Sequence, residues 1–140
     1  MRTNEMVKDY FFRAKWCLKE AEMALFEKNY SMCVRRSQES LEMAIKALLR
    51  SMAIEYPKGH DVGDSLIYIE KKLPDYLRSE VPFLRSLLTE LSRVRGPAFY
   101  GYEREGIPAS EAFSKEYGSD IFQKVSKIVS LCEKFLKTMI

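Results

Sequence analysis

Residues Ser31 to Met52, SMCVRRSQESLEMAIKALLRSM, contain neither glycine nor proline and keep one helical period from end to end. Val34, Leu41, Ile45, Leu48 and Met52 fall at i, i+7, i+11, i+14 and i+18, which places them on one side of an α-helix. Gln38, Glu42 and Lys46 make a second row at i, i+4 and i+8, with Glu42 ahead of Lys46 in the orientation that supports a helix. The apolar side must be covered, so the rest of the chain is expected to pack around this helix. Its polar row reads as a solvated or inter-helix edge before it reads as a ligand site.

The segment before it repeats the lesson with a different period. Val7, Phe11, Ala14, Leu18, Ala21 and Leu25 alternate spacings of four and three, a heptad seam in a helix expected from about Asn4, as its cap, to Lys28. Small residues alternate with large ones along the seam, which lets a neighbouring helix come close. Phe12, Trp16, Met23 and Phe26 lie off it, a second apolar surface covered either by another helix of the same chain or by a second subunit. Asn29 and Ser31 mark a short turn, and two long helices joined that way lie antiparallel.

Further helices are expected near 31–56, 61–73, 81–95 and 119–140. Pro57 limits the first of these, Asp61 and Asp64 suggest a cap for the next, and Pro82 suits the first turn of the fourth. Ser119 is expected to cap the last helix, with Ile121, Val125, Ile128, Cys132, Phe135 and Met139 facing inward. The fold class is therefore all-α: an up-and-down antiparallel helical bundle of three long helices and two shorter ones. A chain of 140 residues fits one domain, 1–140, with a core that needs no disulfides.

Composition removes several function classes. No uncharged apolar run is long enough to span a bilayer, and the charged N-terminus lacks the apolar middle of a signal peptide, so a cytoplasmic location is expected. The three cysteines are widely separated with no C-x-x-C pair, and His60 is the only histidine, so neither a metal nor another cofactor is expected. A net charge of +3 is too small to argue for nucleic acid by itself.

What remains is the segment around Arg95. The apolar row Leu84, Leu88, Leu91 steps next to Arg95, where an aliphatic residue is called for, and GPAFYGYEREGIPASEAFSKEYG follows over 96–118. Rich in glycine and proline, it reads as a long loop with a short helical turn near 109–113, and loops of that length in compact domains are usually functional or disordered. Its aromatic residues argue against disorder. A guanidinium near a partly apolar helix end is a good phosphate ligand, and tyrosine can stack on a base or donate its hydroxyl, so Arg95, Tyr100 and Tyr102 are the candidate ligand-binding residues.

In their order and spacing, AEMALFEKNY, the Gln38, Glu42 and Lys46 row in SQESLEMAIKALL, Gly59-His60-Asp61, and the Arg95 segment with the helix after it resemble the HEPN family. These small helical bundles are often encoded beside minimal nucleotidyltransferases. In members that cleave RNA the resemblance implies an arginine, four to six residues, then a histidine, commonly R-x-x-x-x-H-x-Y. Here Arg95 and Tyr102 match, while Tyr100 holds the histidine position. A tyrosine hydroxyl, ordinarily titrating near about 10, is poorly suited to metal-independent proton transfer. His60 aligns with the third-helix His-Asp, where packing or capping is its expected role.

The favoured reading is a non-catalytic or weakly active binding module, a homodimer engaging nucleotide, RNA or a nucleotidyltransferase partner through Arg95 to Tyr102. The homodimer rests on the second apolar surface of the first helix and on the paired loops that the resemblance implies. The alternative is a metal-independent ribonuclease, the toxin of a toxin–antitoxin pair, with Arg95 and Tyr100 as catalytic residues. The resemblance also implies that Tyr102 is the candidate for adenylylation by such a partner.

Overall fold

The computed structural model describes residues 2–55 and 62–139. Gly59, His60 and Asp61 lie outside the described residues, as does the expected cap at Asp61. The helices are α1 (Arg2–Phe26), α2 (Tyr30–Ser51), α3 (Val62–Ile69), α4 (Asp75–Arg78), α5 (Val81–Tyr100), α6 (Ala109–Ala112) and α7 (Lys115–Met139), with 3-10 turns at Glu70–Lys72 and Glu103–Glu105. No strand occurs among the described residues beyond an isolated bridge between Tyr102 and Ile107. The fold is the expected all-α, up-and-down bundle, but with four long helices, because α5 runs to 20 residues.

Helix α2 packs against α1, α5 and α7. Its inner side chains Val34, Leu41, Ile45 and Leu48 are fully buried, together with Leu49. Toward α1 it presents Ser37, Ser40, Ala44 and Ala47, all buried and small. They face the equally small Ala14 and Ala21 of the α1 seam, so the two backbones approach closely enough for Ser40 Oγ to donate to the Ala14 carbonyl at 2.6 Å. Arg36 reaches Glu20 and Arg50 reaches Met6, pairs whose numbers run in opposite directions, as an antiparallel hairpin requires.

The other helices follow the same alternation. Lys127 pairs with Glu80 at 2.9 Å and Tyr117 donates to Glu90 at 2.6 Å, so α5 and α7 are antiparallel. Ile121, Val125, Ile128, Cys132 and Phe135 of α7 are buried as expected, whereas Met139 is exposed. Cys33 and Cys132 are buried and Cys17 half-buried. Burial pushes the Cys33 thiol up to about 11 and that of Cys132 up to about 12, which leaves both protonated and inert at neutral pH.

Several boundaries differ from the sequence expectation. Helix α1 begins at Arg2, so Asn4 sits in its first turn and is not its cap. Helix α2 stops at Ser51, because Ala53 adopts φ 60° and lets the Ile54 N–H bond back to the Leu49 carbonyl at 2.9 Å. Helix α1 ends the same way at Phe26, with Lys28 at φ 64° and Asn29 N–H bonded to the Ala24 carbonyl. Asn29 then caps α2, its side chain accepting from Met32 N–H.

Segment 96–118 is mostly ordered helix and turn, not a long loop. Helix α5 passes through Pro97, preceded by Gly96, which has no Cβ to meet the proline ring and so tolerates the helical conformation that other residues avoid there. Helix α7 opens at Lys115, four residues before the expected cap at Ser119, and the side chain of Ser114 caps it by accepting from Tyr117 N–H at 3.1 Å.

Candidate functional site at the α2–α5 end

Arg95 stands in the last turns of α5, not at its final residue. As α5 nears its C-terminus the buried side turns toward Leu87, Leu91 and Ala98, with Val94 half-buried, and Arg95 falls at the margin of that arc, exposed. It therefore does not displace a core aliphatic residue. Its guanidinium has no partner among the described residues.

Because the helix continues, Arg95 shares a face with Phe99 at i+4, whereas Tyr100 at i+5 lies about 140° further round. Phe99 is half exposed and its ring meets Tyr100 edge-on, with centroids 4.9 Å apart. From α2, the Arg35 guanidinium sits 5.1 Å from the Phe99 ring centre, and its Nη1 donates to the Arg95 carbonyl at 2.9 Å. Arg35 thus fastens the last turns of α5 to α2 while stacking on the aromatic ring. Sequence reading missed both Arg35 and Phe99. The Arg35-Arg36 doublet beside the apolar row, and the i, i+4 pairing of Arg95 with Phe99, were the available signals.

Beyond Tyr100 the chain reverses at Gly101, φ 74° and ψ −167°, a conformation open in practice only to glycine. A Cβ at Gly101 would lie 2.4 Å from the Ile107 carbonyl oxygen and 2.6 Å from the Ala109 nitrogen. The reversal is then closed by paired backbone bonds, Tyr102 N–H to the Ile107 carbonyl at 2.8 Å and Ile107 N–H to the Tyr102 carbonyl at 3.0 Å. Tyr102 is held on this clasp with 38% of its surface exposed. Close by, burial first, then the hydrogen bond to Glu90 and the charges of Glu90 and Tyr102, push the Tyr117 hydroxyl well above the usual tyrosine range.

The polar row of α2 is tied into the protein. Gln38, buried, donates to Glu42 at 2.7 Å, and the Lys46 ammonium lies 5.7 Å from the Tyr10 ring centre on α1. It acts as an inter-helix edge.

A model of the HEPN domain matches residues 7–135. The chain belongs to the HEPN family. Membership associates this bundle with nucleotide- and RNA-related function. Comparisons with curated proteins and with solved structures give no match. Among the described residues, no helix is long and apolar enough to cross a membrane.

Proposed function

We propose that this HEPN domain, a single unit over 1–140, is a cytoplasmic binding module that holds a nucleotide or a stretch of RNA at the α2–α5 end. The observation that carries the reading is Arg95: an exposed guanidinium, unpartnered among the described residues, on the same helix face as a half-exposed phenylalanine that Arg35 already stacks upon. Arg95 supplies a charge-assisted contact to phosphate, and Phe99 with Tyr100 supplies ring surface for a base. This division of labour does not need the histidine whose place Tyr100 takes. Two copies meeting across this end would bring two such arginines to a shared cleft, which is the homodimer we expect.

A nucleotidyltransferase partner fits the same end through Tyr102. Transfer of AMP from ATP to the Tyr102 oxygen, with loss of pyrophosphate, would set a negative phosphodiester close to Arg95 along the chain and obstruct nucleic acid.

Replacing Arg95 with Ala tests the reading. The fold should survive, because the side chain is exposed, while affinity for nucleotide or RNA falls roughly tenfold to a hundredfold, the equivalent of about 1.5 to 3 kcal/mol for a charged hydrogen bond. Undiminished affinity would remove Arg95 from the site. RNA cleavage by the purified protein, lost in Arg95→Ala, would replace the binding module with the ribonuclease. Intact mass after incubation with a cognate nucleotidyltransferase and ATP should rise by one AMP, and Tyr102→Phe should abolish the gain.

A further inference from the structure

Helix α1 carries two seams. The first, from Val7 to Leu25, meets α2 and the core. The second runs through Phe12, Trp16, Lys19, Met23 and Phe26, again alternating four and three, and none of the described elements covers it: Phe12 is 67% exposed, Trp16 56%, Met23 64% and Phe26 86%. Single exposed apolar residues are ordinary, but four in one register are not. Spacing of four and three is what one helix needs to seat another along its length, because it keeps one stripe in contact over successive turns. From Phe12 to Phe26 the stripe is about 21 Å long at the helical rise of about 1.5 Å per residue.

Toward its N-terminal half the stripe opens into a groove of about 360 Å³ between α1 and α7, with Trp16 and Leu136 among its apolar walls. Lys8, Lys15, Lys19 and Lys137 line it, against one carboxylate, Glu133, which Lys15 already pairs at 2.7 Å. The charge balance at the groove is strongly positive, and an occupant must answer it with acid.

We propose that the second seam of α1 and the α1–α7 groove seat an amphipathic helix of a protein partner, apolar along the contact and acidic at its flanks. A second copy of this chain is a poor occupant. A two-fold axis at the middle of the stripe would set Lys19 against Lys19 of the second copy, with like charges at the centre of the contact. A lipid surface, being flat, would touch the stripe but leave the groove unfilled. The site is separate from the α2–α5 end, so this proposal stands or fails independently of the nucleotide reading.

Trp16 is the only tryptophan of the chain and lies in the groove, so its fluorescence reports occupancy directly. The probe is a synthetic helix of about 21 residues with leucines spaced by four and three and glutamates beside them. Titrated into the intact protein, it should move Trp16 emission to shorter wavelength and protect it from iodide quenching. Affinity should fall about tenfold or more in Lys8→Glu/Lys137→Glu, a pair of exposed changes that leave the circular dichroism unaltered. Phe12→Ser should abolish the response. The proposal is overturned by no response to the probe, or by an equal response to the same peptide with lysines for glutamates. It is also overturned if vesicles of anionic phospholipid or a single-stranded oligonucleotide shift Trp16 while the peptide does not, or if Trp16 emission shifts with protein concentration alone.

Discussion

Two surfaces of this molecule combine exposed aromatic rings with cations, and they are made in opposite ways. At the α2–α5 end, Phe99 is gripped by Arg35 from another helix, and Tyr102 sits on a backbone clasp that only a glycine at 101 permits. On α1, Phe12, Trp16, Met23 and Phe26 stand on an unbroken helix whose shape is fixed by its other face. The first surface is built by contacts distant in sequence and transmits its damage to the fold. The second is a regular helix exterior and should be separable from stability. Gly101→Ala breaks the first most severely, since the new methyl meets backbone atoms that cannot step aside. We expect a loss of about 3 kcal/mol from the strained φ and the clash together, read as a lower urea midpoint. An unchanged midpoint would mean that the reversal is not locked, and the contrast between the two surfaces would collapse.

The two cation–ring contacts sharpen the comparison. Arg35 is mostly covered, stacks on Phe99 and donates to the Arg95 carbonyl, so Arg35→Ala removes a charged hydrogen bond and a stacked contact together; about 1.5 kcal/mol is expected. Lys19 lies 5.8 Å from the Trp16 ring centre and is exposed, and Lys19→Ala should cost about 0.5 kcal/mol or less. Equal losses in thermal unfolding would show that burial does not separate these contacts.

The same distinction explains what could be read from the sequence. The seam of α1 and the inner row of α2 were legible because periodicity is local: Val7, Phe11, Ala14 and Ala21 of the one and Val34, Leu41, Ile45 and Leu48 of the other are buried, while Leu18, Leu25 and Met52 are half-buried. The end of α2 was not legible, because the chain turns to positive φ at Ala53, a residue that seldom does so and gives no warning in the way glycine or proline does. Gly96-Pro97 misled in the other direction: it is a helix breaker by composition, yet here it lies inside α5, fastened to α2 by Arg35. That error hid Phe99, whose alignment with Arg95 exists only if the helix continues. Motif singles out Arg95 and Tyr102 as candidates; Arg35 and Phe99 become candidates only through packing. On α1 the off-seam residues were visible, but whether they were covered depended on where α7 lay.

The smallest effect is expected at Phe26, and it is the most pointed test of the second surface. Burying a phenylalanine gains about 1.5 to 3 kcal/mol relative to exposing it, so a ring packed into this fold should be missed when removed. Phe26 is 86% exposed at the last residue of α1, where the helix is already terminated by backbone bonds that do not involve its side chain. Phe26→Ser should therefore change unfolding free energy by no more than about 0.5 kcal/mol in either direction. A larger loss in the isolated protein would point to Phe26 being covered in solution by a second copy, because none of the described elements of the same chain reaches it. Dilution would then identify the cause, since stability gained from association falls with protein concentration and stability gained within the chain does not.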